Sequence, residues 1–331
     1  MIIGPNGSGK TSILEAIAYT SILRSIKNDS KNSIIKNDKD SSKIKANLIN
    51  NGRNSTIDVI LNKLSKDYVA INDIKVNKSS QLLEELSITL FTPEDLNLIK
   101  GGPNLRRDYL DDILSLISLN NYNYIRQFEK SLRQRNILLK QVTLKNYNNY
   151  LDTLNVWDEQ IAKYSTILVN LRKNLILELT PYIQEEFTKI TNIKKDIRIN
   201  YVSSVGENIL EELIDKRTED ILRKTTTIGA HRDDMEIILG DLDARRQLSQ
   251  GQQRSLAISL KLAMHRIVID KNKKIPVILL DDVFSELDED VSRSLLEQIY
   301  DYQAIVTSAT KPLQKILVSK EVKMLNGECE Q

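Results

Sequence analysis

Cysteine is almost absent from the sequence: Cys329 is the only one among 331 residues. A single cysteine cannot form a disulfide within the chain or a cysteine-based zinc site, and a reducing compartment is expected. An excess of charge is also absent, because Lys and Arg number 47 while Asp and Glu number 45, which gives a net charge of +2. This balance neither requires nor excludes a nucleic-acid partner, so a basic patch has to be sought locally.

Long apolar runs are missing as well. Residues 275–280 form a clean apolar stretch next to a motif, far shorter than the roughly 20 residues that a membrane helix needs. Residues 1–5 lack the basic and apolar regions of a signal peptide, so a cytoplasmic protein is predicted. With 40% hydrophobic and 28% charged residues, the composition is typical of a soluble globular protein of two or three domains.

The N-terminal third has a mixed pattern. Residues 1–27 predict a strand, a glycine-rich loop and a helix. Residues 27–55 are rich in Lys, Asn, Asp and Ser and predict a solvated loop or an irregular hairpin. Alternating apolar residues at 56–61 and 68–71 predict strands.

The middle of the chain has helical periodicity from residue 105 to about 190. Apolar residues at three-four spacing in 161–175 form a short seam, which favours a packed helical hairpin over a long rod. Pro181 is expected to end or kink the helix. A strand is predicted near 197–202, and strands alternate with helices after residue 225.

A phosphate-binding loop is predicted near the N-terminus. The full G-x-x-x-x-G-K-[ST] pattern is present as Gly4, Pro5, Asn6, Gly7, Ser8, Gly9, Lys10 and Thr11. Glycines let the backbone curl so that successive N–H groups face phosphate oxygens. Lys10 would reach the β- and γ-phosphates, Thr11 would hold Mg²⁺, and the following helix adds its positive end. The alternative is a chance glycine-rich turn, which eight matching positions disfavour.

Two adjacent acids follow a strand that is apolar on both faces. Such a strand belongs in the middle of a parallel sheet, where ligands bind at the carboxyl ends of the strands. Asp281 is predicted to bind Mg²⁺ directly or through water, and Asp282 to orient or deprotonate the attacking water. The alternative is a buried strand followed by an acidic turn, and the phosphate loop in the same chain favours the catalytic interpretation.

A second anion site is predicted where a long helix begins. Ser249, Gly251 and Gln252 lie at this helix start, where a hydroxyl, free N–H groups and the helix dipole attract anions. The alternative is an ordinary serine N-cap. A second phosphate site makes sense if it serves ATP bound to another subunit, as in ATPases that dimerise head to tail.

Basic residues are concentrated between residues 126 and 145, a segment that contains six of them and a single acidic residue, Glu129. Such a stripe could bind a phosphate backbone without reading sequence. The alternative is a solvated helix face. The candidate DNA-binding residues are Arg126, Lys130, Arg133 and Arg135.

Together these motifs resemble the ABC-type ATPases of the SMC group. A helical insertion separates the phosphate loop from Ser249. It is longer than in a transporter ATPase and much shorter than in an SMC protein, and its length resembles that of the RecF family. Residues 91–96, 101–111 and 229–234 extend this resemblance. It implies an α/β fold, with a P-loop ABC-type ATPase head (1–104 and 201–331) and an inserted helical arm (105–200).

The resemblance also implies a function. A RecF-like protein would bind ATP and Mg²⁺, form an ATP-sandwiched dimer on duplex DNA near single-strand gaps, and help to load RecA with the partners RecO and RecR. Weak, DNA-stimulated ATP hydrolysis would then serve as a switch. An ABC transporter subunit, which needs a membrane partner, and a small-molecule kinase are the alternatives; the kinase does not explain Ser249 or the acidic strand.

Individual positions follow from the same resemblance. Thr307 or Ser308 occupies the place of a γ-phosphate sensor, residues 285–288 resemble the loop that contacts the opposite subunit, and His231 is expected near ATP or the dimer seam. Two features depart from the family pattern. No glutamine matches the Gln-loop near residue 91, and further residues are expected ahead of Met1 because only three precede the phosphate loop.

Overall fold

A computed structural model describes residues 1–23, 34–50, 52–76, 80–309, 318–325 and 327–330. The chain divides into two compact units. The first combines residues 1–95 with 273–331, and the second contains residues 96–272. These boundaries differ from those of the three predicted regions, since residues 201–272 cluster with the helices that precede them.

Strands and helices follow one another along the chain in three blocks. The N-terminal part of the first unit contains β1 (Ile2–Ile3), α1 (Lys10–Ile22), β2 (Ser41–Asn50), β3 (Arg53–Asn62), β4 (Tyr68–Ile71), β5 (Ile74–Lys75), α2 (Ser80–Glu85) and β6 (Ile88–Phe91). The second unit contains α3 (Asn97–Lys100), α4 (Pro103–Ile117), α5 (Leu119–Gln141), α6 (Leu151–Thr191), β7 (Ile197–Val202), α7 (Ile209–Asp215), α8 (Arg217–Arg223), β8 (Asp234–Leu239), β9 (Leu242–Asp243) and α9 (Gln250–Asn272). The C-terminal part of the first unit contains β10 (Val277–Asp281), α10 (Glu289–Ile299), β11 (Ala304–Ser308), β12 (Val322–Leu325) and β13 (Glu328–Glu330).

The main sheet of the first unit has the strand order β13-β12-β1-β11-β10-β6. All neighbours are parallel except β12 and β13. As predicted, β10 lies inside a parallel sheet, with its central residues fully buried. Thr307 on β11 is in register with both Ile2 on β1 and Asp281 on β10. The phosphate loop and the acidic pair therefore leave the same edge of the sheet.

A second, antiparallel sheet has the order β2-β3-β4-β5. It forms a common core with α1, in which Leu14 packs with Val59 and Leu279. The strands predicted at 56–61 and 68–71 are confirmed as parts of β3 and β4. For 41–50, the prediction of a loop or an irregular hairpin was right about a hairpin and wrong about its irregularity, because β2 pairs with β3 in unbroken register. Ile44, Ala46 and Leu48 of β2 pack against the core. Residues 27–33 and 51 of that prediction lie outside the described part of the chain.

Helices dominate the second unit. The predicted helical pattern is confirmed by α4, α5 and α6, and α5 packs along α6. The helix does not end at Pro181, as one prediction allowed, because α6 continues to Thr191. In the described residues, no helix is long and apolar enough to cross a membrane.

Candidate nucleotide-binding site

The phosphate loop starts at a position that only glycine can occupy. Gly4 continues the sheet ladder, donating its N–H to the Ser308 carbonyl at 3.3 Å. A Cβ on Gly4 would lie 2.3 Å from the Met324 carbonyl oxygen of β12. The neighbouring strand therefore excludes a side chain at this position.

Two further glycines curl the loop. Gly7 has φ of +79° and Gly9 has φ of +97°, both in the left-handed region that favours glycine. Between them, the Ser8 N–H turns back to the Pro5 carbonyl at 3.2 Å. Helix α1 begins directly after Gly9, so its free N–H groups and positive dipole end face the loop.

Lys10 lies folded against the loop that it follows. Its side chain is buried, and Nζ donates to the carbonyls of Gly4 at 2.7 Å and Pro5 at 3.0 Å. These bonds use two of the three N–H donors of an ammonium group. The positive charge is thus fixed at the loop, where an anion would bind.

The acidic pair meets the loop through two hydroxyl groups. Thr11 Oγ1 donates to Asp281 Oδ1 at 3.0 Å, and Thr307 Oγ1 donates to the same oxygen at 2.7 Å. Thr307 also accepts the Asp282 N–H at 3.0 Å. Asp282 itself has φ of +51°, an unusual backbone conformation for a residue with a side chain, often found at functional sites. One buried hydroxyl therefore holds the carboxylate of Asp281 and the backbone of Asp282.

The oxygen donors at this position suit Mg²⁺. Thr11 and Asp281 supply a hydroxyl and a carboxylate, and Mg²⁺ in nucleotide sites is held by one or two carboxylates, phosphates and waters. The buried Ser8 hydroxyl has no hydrogen-bond partner among the described residues, which leaves it available to a ligand. Among these residues, no cluster of three or more His, Cys, Asp or Glu could hold a metal without such additional ligands.

Thr307 and Ser308, which sequence reasoning could not separate, have different surroundings. The Thr307 side chain is fully buried and bonds to both acids, whereas the Ser308 carbonyl supports Gly4. Sequence reasoning missed the bonds of Thr307 to the acids and the contact of Met324 with the loop. The bonds of Thr307 to the acids depend on the register of β11 against β10, which the spacing of residues in the sequence does not reveal.

The second predicted anion site lies in the second unit, at the start of α9. Ser249 and Gln252 form a reciprocal capping box: the Ser249 N–H donates to Gln252 Oε1 at 3.1 Å, and the Gln252 N–H donates to Ser249 Oγ at 3.3 Å. The N-cap role considered from sequence is therefore present. Gln253 is buried and donates to the Ala244 carbonyl, which ties the preceding loop to the helix. Gly251 is exposed, and a Cβ added to it would meet none of the described residues within 4 Å.

Residues 229–234 form a tightly bonded turn in the same unit. Asp233 accepts from Tyr201 Oη at 2.5 Å and from the Ser204 N–H at 2.7 Å, and Asp234 pairs with Arg106. His231 Nε2 lies 3.0 Å from the Thr226 carbonyl, and burial lowers the pKa of His231 to about 4. Its ring is therefore neutral at physiological pH.

The basic residues from Arg126 to Lys140 lie on α5, and only some of them are at the surface, while Lys145 follows the helix. Arg126, Lys130 and Arg133 are exposed, and Arg126 pairs with Glu129 at 2.6 Å. Arg135 has to be removed from the predicted DNA contacts. Its side chain is 0% exposed and is bonded to the buried carboxylates of Asp158 and Asp220, because it lies on the inner face of the helix.

Comparison with known proteins places this chain in a family. Residues 1–328 match the model for the RecF/RecN/SMC N-terminal domain. The DNA replication and repair protein RecF of Lachnospira eligens is 37% identical over 308 residues, covering 93% of this chain and 85% of that protein. These likenesses support the DNA-repair interpretation and not the ABC transporter alternative.

Solved structures agree. The recombination mediator protein RecF of the RecFOR pathway, solved with ATP, matches with a TM-score of 0.90 and 28% identity. Its complex with ATPrS matches with a TM-score of 0.88 and 29% identity. Each alignment covers 99% of this chain and 90% of the other. The chain therefore belongs to the RecF family, within the RecF/RecN/SMC N-terminal domain family.

Proposed function

We propose that this protein is an ATP-dependent DNA-binding protein of DNA replication and recombinational repair. The observation that carries the proposal is the convergence of Thr11, Thr307 and the acidic pair beside a complete phosphate loop. Relatives that share the family are described as DNA replication and repair proteins, and related structures contain ATP. We further propose a cytoplasmic location and the partners RecO and RecR; the partners are supported by the similar RecF structures, which are described as part of the RecFOR pathway.

Each part of the site has a distinct role in this proposal. The loop amides and the Lys10 ammonium bind the phosphates, and Thr11 with Asp281 holds Mg²⁺, which would neutralise phosphate charge when bound. Asp282 orients the attacking water and accepts its proton. Thr307 fixes both acids, so it is a positioning residue for hydrolysis.

Assembly into an ATP-sandwiched dimer is supported by Gly251. Gly251 is the second residue of α9, and none of the described residues fills the space where its Cβ would lie. The fold of the monomer therefore does not require glycine at this position. A phosphate group approaching the start of α9 from a second subunit would require it, because a side chain would block the free N–H groups.

Light scattering in ATP and Mg²⁺ tests this assembly. We use an Asp282→Asn background to prevent hydrolysis, and we expect ATP but not ADP to convert monomer into dimer. Ser249→Arg should keep the protein monomeric while it still binds ATP, because a bulky cation occupies the seam. Ser118→Arg is the matched control, since Ser118 caps α5 in a similar way. A monomer at saturating ATP, or equal loss in both variants, would contradict the sandwich model.

Duplex DNA is proposed to bind across this dimer, and the exposed residues Arg126, Lys130 and Arg133 are candidate contacts. Their charges would bind phosphates and would give no sequence preference. Fluorescence anisotropy with gapped duplex tests the proposal: ATP should raise the affinity, and added salt should lower it steeply. A duplex affinity that changes with neither ATP nor salt would argue against DNA binding across the dimer.

A further inference from the structure

The C-terminal hairpin of β12 and β13 contacts the phosphate loop from one side. The Gly327 N–H donates to the Ser8 carbonyl at 3.1 Å. The Met324 side chain is buried, and its Cε lies 3.3 Å from where a Cβ on Gly9 would be. Neither residue belongs to the phosphate-loop motif or to the acidic strand.

Peptide geometry links this contact to phosphate binding. In a trans peptide, the carbonyl of one residue and the N–H of the next point in opposite directions. The described residues contain no cis peptide bond. Because the Ser8 carbonyl is directed at the hairpin, the Gly9 N–H is directed to the side of the loop away from it.

We propose that Gly327 is a positioning residue of the nucleotide site: its hydrogen bond to Ser8 aims the Gly9 N–H at the bound phosphates. This inference rests on the proposed ATP-binding function. The hairpin acts on the loop backbone and does not contact the nucleotide. Loss of the bond should weaken ATP and ADP equally, since both carry the phosphates that a loop amide reaches.

The conformation of Gly327 supplies a clean test. Its φ is +85°, and a Cβ added there would meet none of the described residues within 4 Å. The first effect expected of a substitution is therefore on the backbone preference. Asparagine tolerates the left-handed region, whereas a β-branched residue is a genuine outlier there. Gly327→Asn should keep the hydrogen bond, and Gly327→Val should lose it.

Nucleotide affinity is measured with fluorescent ATP and ADP analogues on the full chain. We expect Gly327→Val to weaken both by about tenfold, in line with the loss of one hydrogen bond to a charged ligand. Gly327→Asn should bind as the wild type does. Gly52→Val is the matched control, because Gly52 has φ of +78°, also has no described residue within 4 Å of an added Cβ, and lies in another hairpin. Melting temperatures without nucleotide establish that each variant is folded.

Full affinity in Gly327→Val, or an equal loss in Gly52→Val, would overturn the inference. Hydrogen–deuterium exchange on the wild type gives a second test that needs no variant. Because coupling is reciprocal, ADP should slow exchange in residues 318–331. Unchanged exchange there would also overturn the inference. A wild-type chain that binds neither nucleotide would refute the proposed function itself.

Discussion

Thr307→Val is the most informative single change at the candidate site. The Thr307 hydroxyl is fully buried, donates to Asp281 and accepts from the Asp282 N–H. Valine has the same shape but no hydroxyl, so the change is not conservative. It leaves an N–H and part of a carboxylate without their partner, and each such group costs about 1–3 kcal/mol when buried. Asp281 keeps its bond from Thr11, so we expect a total loss of about 2–4 kcal/mol.

Thermal unfolding without nucleotide measures this loss. For a domain of this size, each kcal/mol lowers the melting temperature by about 2–4 °C, so a decrease of about 4–16 °C is expected. ATP turnover should fall further than ATP affinity, because the Asp281 carboxylate and the Asp282 backbone each lose a hydrogen bond while the loop and Lys10 remain. Thr307→Ser is the control: it keeps both hydrogen bonds and removes one methyl group. Wild-type stability and turnover in Thr307→Val would refute the assignment of Thr307 as the residue that orients the acids.

Further predictions concern hydrolysis, DNA and pH. Asp282→Asn should retain ATP binding and lose turnover, whereas Lys10→Met should weaken ATP binding itself; normal turnover in the first variant would contradict its role. Replacing Lys130 and Arg133 by Glu should weaken duplex binding and flatten its salt dependence with ATP affinity unchanged, as measured by anisotropy. Burial lowers the pKa of His231 in the folded protein to about 4, below its unfolded value near 6.5. The neutral ring therefore contributes fully to the free energy of unfolding above pH 6.5, and this contribution is lost as the pH falls towards 4. Urea unfolding across that range should show a shallower decline for His231→Gln than for the wild type.

Local chemistry made the phosphate loop predictable. Its eight positions are adjacent in sequence, and each residue type is needed for a backbone conformation or a charge that acts within the loop. The acidic pair was predictable for a related reason, since a strand apolar on both faces indicates a central position in a parallel sheet. The bonds of the Thr307 hydroxyl to the acidic pair depend on the register between separate strands. They could not be derived from the spacing of residues in the sequence.

The position of Arg135 shows a signal that was present and overlooked. The buried residues of α5 are Ile125, Phe128, Ser131, Arg135 and Leu139, which follow one another at spacings of three and four. Arg135 is therefore in phase with the apolar face of the helix, whereas Arg126, Lys130 and Arg133 are not. Counting basic residues treated all four alike, and the helical period would have separated them.

Two glycines show where the limit of sequence reasoning lies. Gly4 is required by its own chain, because the Met324 carbonyl occupies the space of a Cβ, although more than three hundred residues separate the two. For Gly251, none of the described residues lies within 4 Å of the place where a Cβ would be. Contacts within the chain thus explain the glycine at position 4, whereas no contact among the described residues explains the one at position 251. For Gly251 the proposed cause is a phosphate group bound to a second subunit, so Gly251→Ala should weaken the ATP-dependent dimer in light scattering without lowering the melting temperature of the monomer.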